Sequence, residues 1–356
     1  MTDTTQGLVC GHHHLYSALA RGMPAPPKTP TNFLEILQQV WWRLDRALDL
    51  EMVRWSAALG AVEALMCGTT AIVDHHESPN AIEGSLSVIA DACAEVGVRV
   101  VATYGATDRW NDNGSPYEGT WPPPEHTRAA ARGLAECERF IRGGGRGMVG
   151  LHAAFTCADD TLEASADLAR RLHVGVHVHV SEDRLDADAG SRLQWLARDD
   201  WLLVHCVHLD RPLPGTIAHN SRSNMNNAVG YAHPAARPNP IVLGSDGIGA
   251  DMLEELRLTY VRLREDDVTA TPDTVWSWLD QGYSLVPEAR DDRVRWNYDH
   301  ADSPWHVAFT PGMRALDVTI DGEAMLRDGV PTRVDVAEIR AKAAEQSARL
   351  FAALDS

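Results

Sequence analysis

The sequence predicts an α/β protein built on a closed (β/α)8 TIM barrel, with a small β-rich appendage formed from the C-terminal segment. Short runs rich in Val, Ile and Leu recur eight times with helical stretches between them, which is the pattern of βα units around a parallel sheet. An open doubly wound sheet would normally carry a glycine-rich dinucleotide turn between a strand and a helix, and the one GxGxxG match, at residues 145–150, instead runs into a candidate strand. Eight strands with crossovers therefore favour a closed barrel.

The candidate strands cover residues 8–11, 70–74, 99–104, 147–151, 174–180, 201–205, 215–218 and 241–244. Between the first two, apolar residues recur at helical spacing over residues 32–66, which predicts one or two long amphipathic helices. Asn32 with Glu35 resembles a capping box at the start of this segment, and Gly68 follows its end. Further helices are expected around residues 81–96 and 128–141.

The pattern changes after about residue 271. Residues 317–320 and 323–326 flank Asp321-Gly322, which predicts a hairpin with a type I′ turn, and Asp335 with Glu338 marks the start of a terminal helix. We therefore expect a barrel domain over residues 1–285, followed over residues 286–356 by a hairpin and helix that are the remnant of a β-sandwich.

Composition excludes several classes of partner. The 32 basic and 50 acidic residues give a net charge of −18, which argues against binding to nucleic acid or to an anionic membrane. No stretch approaches the roughly 20 apolar residues of a membrane span, and the first residues lack the basic start and apolar run of a secretion signal. Six scattered cysteines without CxxC pairs predict reduced, buried thiols. We expect a cytoplasmic protein.

The placement of the 16 histidines is the strongest functional signal. Eleven of them lie at or just beyond the C-terminal ends of the candidate strands, which form the rim where barrel enzymes build their active sites. These eleven are His12, His13, His14, His75, His76, His152, His177, His179, His205, His208 and His219.

Alternation along the strands selects some of these residues. His12 and His14 point the same way in an extended strand, so both can address one ion inside the barrel. Glu182 follows His179 by three residues, where a carboxylate can act on a water molecule without binding the metal itself. Asp246 closes the eighth strand, although aspartate is also common as a helix cap at such a position.

Four motifs in this order resemble the amidohydrolase superfamily, in its mononuclear-metal branch of cytosine deaminase-like aminohydrolases and chlorohydrolases: GHHH at 11–14, HVSE at 179–182, HCVH at 205–208 and GSDG at 244–247. Three further stretches are most similar to the SsnA-type aminohydrolases: WWRLDRAL at 41–48, DHHESPN at 74–80 and HNSRSNMNNAVG at 219–230. The resemblance covers residues 7–257 well and resumes weakly from residue 301.

The resemblance implies one Zn²⁺ ion, with Fe²⁺ as the alternative, held by His12, His14, His179 and Asp246. It also implies that Glu182, His205 and Asp246 are the catalytic groups, with Glu182 and His205 handling protons.

Two features of the chain bear on this comparison. Dinuclear members of the superfamily bridge their metals with a barrel lysine, and the only lysines here, Lys28 and Lys342, lie outside the candidate strands. Family members usually have several β-strands before the first metal motif, which begins here at residue 12, so a reduced sandwich is expected.

The activity implied is hydrolytic deamination of a purine, pyrimidine or triazine-like heterocycle, with release of ammonia. Arg109, His152, Asn220 and Asn224 are expected at the rim as substrate-binding residues, although such residues also serve as structural loop contacts. A cyclic amidohydrolase that cleaves a ring C–N bond, and a catalytically impaired metal-binding or assembly protein, are the alternatives. A homodimer is expected, with Trp41, Trp42 and Trp55 either at its interface or packed against the barrel.

Overall fold

The computed structural model describes residues 3–112 and 114–354. The strands within this part of the chain are β1 Thr4–Thr5, β2 Leu8–His14, β3 Thr69–His76, β4 Arg99–Ala106, β5 Val149–Ala153, β6 Val176–Val180, β7 Leu202–His205, β8 Thr216–His219, β9 Ile241–Leu243, β10 Asp246–Gly247, β11 Arg293–Trp296, β12 Ala315–Ile320, β13 Glu323–Arg327 and β14 Val330–Pro331. The helices are α1 Phe33–Ile36, α2 Trp42–Ala47, α3 Leu50–Met66, α4 Ser85–Val96, α5 Arg128–Arg142, α6 Asp159–Leu172, α7 Ala189–Leu193, α8 Ser221–Asn226, α9 Met252–Asp266, α10 Pro272–Asp280, α11 Pro304–Phe309 and α12 Val336–Leu354.

The parallel sheet forms a closed ring. Its strands follow one another in chain order from β2 to β9, and β10 pairs in parallel with β2. Because β9 pairs with β8 and is separated from β10 by only two residues, β9 and β10 are the two halves of the eighth barrel strand. All eight predicted strands, and the predicted (β/α)8 barrel, are confirmed.

Alternation of side chains explains why these residues form a barrel. Val9 belongs to the cluster of apolar side chains that also holds Ala71 and Val73, whereas Leu8 and Cys10 pack in the larger core shared with the helices. Successive residues of a strand face opposite sides of the sheet, so each barrel strand must be apolar on both faces. The near-continuous apolar runs of the sequence reflect this double burial.

The segment predicted as one or two long helices is divided into several pieces. Helix α1 is followed by a π-helical turn over Leu37–Trp41 and then by α2, and α3 begins only after Leu48 adopts an extended conformation. The predicted cap is present, since Asn32 Oδ1 accepts a hydrogen bond from Glu35 N at 3.0 Å. Asp49 caps α3 in the same way through Met52 N at 2.8 Å. The second cap restarts the helix in a new direction and allows α1 and α2 to lean over the barrel mouth.

The appendage is an antiparallel sheet in the order β1-β11-β12-β13-β14. The predicted hairpin is confirmed, and Asp321 and Gly322 both have positive φ angles, 52° and 81°, as a type I′ turn requires. The sheet is larger than the predicted hairpin, because it also contains β11, β14 and β1, and β1 comes from the N-terminal end of the chain and pairs with β11. The domain division at residues 285 and 286 stays a prediction.

No helix in the described ranges has both the length and the apolar character needed to cross a lipid bilayer.

We expect that the glycine immediately before β3 allows the appendage to pack closely against the barrel, because it has no Cβ. Gly68 has a φ of +75°, and a Cβ there would lie 2.4 Å from the ring of Trp296, a buried side chain whose Nε1–H donates to Thr5 Oγ1. We expect Gly68→Ala to cost about 1–2 kcal/mol for the left-handed backbone and about 1–3 kcal/mol more for overpacking. Urea unfolding measures the loss.

Gly84→Ala is the matched control, because Gly84 has a φ of +86° but no other atom lies within 4 Å of the position that an added methyl group would take. It should show only the backbone cost. Equal losses of unfolding free energy in the two variants would contradict the proposed contact between Gly68 and Trp296.

Candidate metal centre and active-site cavity

Six predicted residues come together at the C-terminal end of the barrel. His12 and His14 lie on β2, His179 on β6, His205 on β7 and Asp246 on β10, and Glu182 follows β6 by two residues. Their ligand atoms lie close together because neighbouring parallel strands end at the same rim.

Three residues at these strand ends have strained backbones. Ser181, His205 and Asp246 have positive φ angles of 49°, 69° and 58°. Such angles cost of order 1–3 kcal/mol in non-glycine residues and persist where surrounding structure enforces them. Here they turn the chain sharply at the barrel mouth and present His205 and Asp246 to the centre.

The carboxylate of Asp246 is the meeting point of the cluster. Its Oδ1 lies 3.3 Å from His12 Nε2 and 3.0 Å from His14 Nε2, and its Oδ2 lies 3.8 Å from His205 Nε2. Ser223 donates its hydroxyl proton to Oδ2. His14 Nε2 is in turn 3.3 Å from His179 Nε2.

The opposite nitrogens of these rings are engaged by the surrounding barrel. His14 Nδ1 donates to the backbone carbonyl of His75 at 2.6 Å, and His179 Nδ1 donates to the carbonyl of His152. His12 Nδ1 lies 2.8 Å from His177 Nε2. Acceptors of this kind fix the ring orientation and tautomer of metal-binding histidines.

The resulting donor set fits a divalent cation. With their Nδ1 protons donated to backbone carbonyls, His14 and His179 bring their Nε2 atoms within 3.3 Å of each other, beside the anionic oxygen of Asp246. Burial lowers the pKa of His12 and His179, which favours neutral imidazoles, whereas contact with Asp246 raises the pKa of His14 against the opposing effect of burial. Acceptors this close repel one another unless a proton or a cation lies among them.

The described residues contain two overlapping groups whose candidate ligand atoms all lie within 4.8 Å of one another. One consists of His12, His179, His205 and Asp246, and the other consists of His14, His75 and His179. The four ligands predicted from the sequence are therefore brought together, with His205 and His75 at the edges of the same cluster. The choice of ligands among these residues stays a prediction.

Glu182 and His205 form a pair beside Asp246. Glu182 Oε2 lies 3.4 Å from His205 Nε2, and Asn227 donates to Glu182 Oε1 at 3.4 Å. Asn224 Oδ1 accepts the Nδ1 proton of His205 at 2.7 Å, which leaves Nε2 of His205 as the acceptor facing Glu182.

Glu182 and Asp246 are both buried, but their neighbours shift the pKa values of the two carboxyl groups in opposite directions. Burial, with the nearby charge of Asp246, raises the pKa of Glu182 well above its usual range. Burial opposes ionisation of Asp246 as well, but hydrogen bonds with His12 and His14 hold the pKa of Asp246 well below its usual range. Burial also lowers the pKa of His205. These shifts favour the protonated form of Glu182, the neutral form of His205 and the ionised form of Asp246.

A cavity of about 230 Å³ opens beside this cluster. Its lining includes His14, His179, Glu182 and Asp246 from the cluster, polar side chains at the rim, and an apolar wall. The wall consists of Phe33, Leu37, Trp41, Trp42 and Phe155. Four of these five come from α1, the π-helical turn and α2, so the segment inserted between β2 and α3 forms one side of the cavity.

Of the predicted substrate-binding residues, His152 lines the cavity. Asn224 instead supports His205 from behind, and Asn220 is buried with its side-chain amide directed to the carbonyl of Ala218 at 3.4 Å. Neither asparagine is among the residues that line the cavity. Four other residues of the same predicted motif line the cavity instead: Arg222, Ser223, Asn226 and Asn227.

The expectation that Arg109 lies at the rim needs correction. Its guanidinium is fully buried and bonds to Asp45 at 2.6 Å and to Glu77 at 2.9 Å. It also lies over the rings of Trp42, at 5.3 Å, and Trp110, at 5.0 Å. Ion pairs with two buried carboxylates hold Arg109 behind the cavity wall. No pattern near Arg109 in the sequence indicates these distant partners.

Burial raises the pKa of Asp45 to about 6, although Arg109 and the Tyr16 hydroxyl oppose the shift. Burial likewise raises the pKa of Glu77. Of these residues, Asp45 and Tyr16 line the cavity, and the sequence pattern singled out neither of them. The helical spacing of Asp45 from Trp42 is the signal that could have drawn attention to it.

The fold and the cluster define a class of protein, a closed (β/α)8 barrel that brings histidine and aspartate side chains together at its strand ends. The chain belongs to the amidohydrolase family, which it matches over residues 5–287.

Curated relatives and solved structures extend this comparison. The chain is 26% identical to 5′-deoxyadenosine deaminase of Methanopyrus kandleri, over 97% of this chain and 86% of the relative. It is 27% identical to 8-oxoguanine deaminase of Pseudomonas aeruginosa, over 97% and 87%. An adenosine deaminase from Xanthomonas campestris with bound zinc has a TM-score of 0.79 at 19% identity, covering 98% of this chain and 85% of that one. Atrazine chlorohydrolase from Arthrobacter aurescens with zinc has a TM-score of 0.78 at 18% identity, covering 97% and 88%.

The buried position of Arg109 leads to a stability prediction. Arg109→Met should lower the free energy of unfolding by about 3–5 kcal/mol, because it leaves two buried carboxylates without their cation. Urea unfolding of the purified variant measures this loss.

Arg132→Met serves as the control, since Arg132 pairs with Glu83 at 2.7 Å on the surface, where such a pair is worth about 0–1 kcal/mol. A loss below about 1 kcal/mol for Arg109→Met would instead indicate a solvated rim arginine.

Proposed function

We propose that this protein is a metal-dependent aminohydrolase that replaces the exocyclic amino group of a planar nitrogen heterocycle with oxygen and releases ammonia. The observation that carries the proposal is the facing pair of Nε2 atoms on His14 and His179, 3.3 Å apart beside Asp246 and open to a cavity. This cluster is suited to a cation, because the Nδ1 protons of both rings are already donated to backbone carbonyls.

His12, His14, His179 and Asp246 would hold one Zn²⁺ ion, with Fe²⁺ as the alternative. Such an ion, when bound, acts as a Lewis acid that makes a water molecule nucleophilic near neutral pH. The zinc-containing structures of similar fold support this choice of ion. The scarcity of lysine is consistent with a single ion, because both lysines, Lys28 and Lys342, lie outside the barrel strands.

Glu182 and His205 would move the protons. A protonated Glu182 can donate to the ring nitrogen next to the amino-bearing carbon, which makes that carbon more electrophilic. His205 can accept a proton from the attacking water through Nε2, because Asn224 holds the other ring nitrogen as the donor. That proton passes to the departing amino group, which leaves as ammonia. The remaining hydroxyl proton returns to Glu182, so the carbon becomes a C=O group and the ring nitrogen keeps the proton that it received.

The cavity favours a flat substrate. Trp41, Trp42 and Phe155 supply apolar aromatic surface to the cavity, whose lining also includes the carboxyl and imidazole groups of the cluster. Aromatic walls of this kind bind planar rings by stacking. The similarity to 5′-deoxyadenosine and 8-oxoguanine deaminases makes purines the first substrates to test.

The homodimer and the cytoplasmic location stay predictions. Trp41 and Trp42, suggested as dimer contacts, line the cavity, and Trp55 packs beneath Arg54 at 5.3 Å. Trp305 and Phe309 on α11, which stack on each other while 51% and 64% exposed, are better candidates for a symmetric contact.

Glu182→Gln is expected to keep the bound metal while lowering ammonia release about 10²- to 10⁴-fold, because a carboxamide cannot act as the proton shuttle. The measurement combines metal content with ammonia release from 8-oxoguanine and 5′-deoxyadenosine. Glu136→Gln, which alters a buried carboxylate on α5 paired with Arg139, is the control and should leave metal content and ammonia release unchanged.

Turnover of Glu182→Gln at the wild-type rate would show that the assigned mechanism is wrong. Ring opening without ammonia would instead indicate a cyclic amidohydrolase.

A further inference from the structure

The turn that carries Asp246 is stabilised by a cation outside the histidine cluster. Asp246 and Ile248 both have left-handed backbones, with φ angles of 58° and 60°. The carbonyl oxygens of Ser245, Gly247 and Ile248 all accept hydrogen bonds from one nitrogen, Nη2 of Arg222, at 2.5, 3.0 and 3.0 Å. Oxygens that converge in this way repel one another, so a positive charge at their centre stabilises the turn.

The amide groups of the same turn are bonded to another part of the chain. Ser245 N donates to the carbonyl of His12 at 3.0 Å, and Ile248 N donates to Ser17 Oγ at 2.8 Å. These two bonds attach the turn to β2 and to the segment that follows it. Arg222 acts on the carbonyl groups, so the turn is held from two sides.

Arg222 is itself held by a buried carboxylate. Its Nε donates to Glu255 Oε1 at 2.7 Å, and the side chain of Glu255, in the first turn of α9, is only 4% exposed. The guanidinium can bond to Glu255 and to the three carbonyls together, because its donors lie in one rigid plane and point in different directions. The pair thus links α8 and α9 to the end of the eighth barrel strand.

Three successive residues of α8 contact the site in different ways. Ser223 bonds to the carboxylate of Asp246, and Asn224 bonds to the ring of His205. Arg222 instead bonds to the backbone from which the Asp246 side chain extends. Left-handed backbone angles in non-glycine residues persist where surrounding structure enforces them, so the direction of the Asp246 carboxylate depends on this contact.

We propose that Arg222, held by Glu255, is a positioning residue that keeps the carboxylate of Asp246 directed into the histidine cluster. It acts through the backbone of the turn and not on the reacting atoms. The inference rests on the proposed function only for the role of Asp246 as a metal ligand. Groups that orient metal ligands typically account for about 10- to 100-fold in metal affinity.

The test combines Arg222→Met with Glu255→Leu, because Arg222→Met alone would leave a buried carboxylate without its cation. Zn²⁺ dissociation constants are measured by competition with a chelator of known affinity, and urea unfolding of the metal-free proteins establishes that each is folded. The double variant should bind Zn²⁺ about 10- to 100-fold more weakly than wild type. No substrate is present, so a role of Arg222 in substrate recognition alone would leave these constants unchanged.

Arg264→Met is the matched control. Arg264 lies in the last turn of α9 and also donates to backbone carbonyls, those of Val268 and Ala270. Its removal should leave the affinity for Zn²⁺ unchanged even if the protein becomes less stable. An equal loss of affinity in the control and the double variant would overturn the proposal.

Arg222→Lys decides the question if the double variant does not fold. Lysine keeps the positive charge but lacks the planar fork that reaches Glu255 and the carbonyls together. It should bind Zn²⁺ about 10-fold more weakly than wild type. Wild-type affinity in either folded variant would overturn the proposal.

Crystal structures of the metal-free wild type and double variant separate this proposal from the proposed function. In the variant, Asp246 should leave the left-handed conformation, and its carboxylate should move away from His12 and His14. A turn that is unchanged in the variant would overturn the positioning role even if the affinity for Zn²⁺ fell. A wild-type protein that binds no Zn²⁺ would instead disprove the proposed function, while a displaced Asp246 in the variant would still support the role of Arg222.

Discussion

The site depends above all on where buried histidines place their ring protons. His14 and His179 each donate Nδ1–H to a backbone carbonyl at the end of a neighbouring strand, and His205 donates to Asn224. Those bonds turn the Nε2 atoms of all three rings toward Asp246. Because the acceptors of His14 and His179 are backbone carbonyls of the barrel strands β3 and β5, the closed ring of strands also sets the orientation of these two imidazoles.

Environment gives chemically similar groups different roles. Contacts with His12 and His14 hold the pKa of Asp246 well below its usual range, whereas burial and the charge of Asp246 raise the pKa of Glu182 in the same region. Pairs of carboxyl groups with pKa values pushed apart are typical of acid and base assignments in active sites.

The sequence was sufficient to predict the barrel, because every strand is buried on both faces and therefore appears as a short apolar run. It also predicted that His12, His14, His179, His205 and Asp246 would meet, since residues at the ends of parallel strands share one rim. The pairing of β1 with β11 could not be predicted, because two residues carry too little pattern to identify a strand.

Long-range charge pairing accounts for the main error within the site. Arg109 follows β4 directly, where a polar residue is expected to face the rim, yet its partner Asp45 lies 64 positions earlier in the chain. Asp45 itself reaches the cavity only because the helical segment is interrupted by a π-helical turn before α2. Neither the interruption nor the partner has a local signature in the sequence.

The central claim is that one divalent ion lies among His12, His14, His179 and Asp246. Crystals of the protein grown with Zn²⁺ and measured at wavelengths on either side of the zinc absorption edge test it directly. The account predicts one anomalous peak per chain, about 2.0–2.2 Å from Nε2 of the three histidines and from a carboxylate oxygen of Asp246. Two peaks, or a single peak coordinated by His75 with His14 and His179 but not by Asp246, would contradict it.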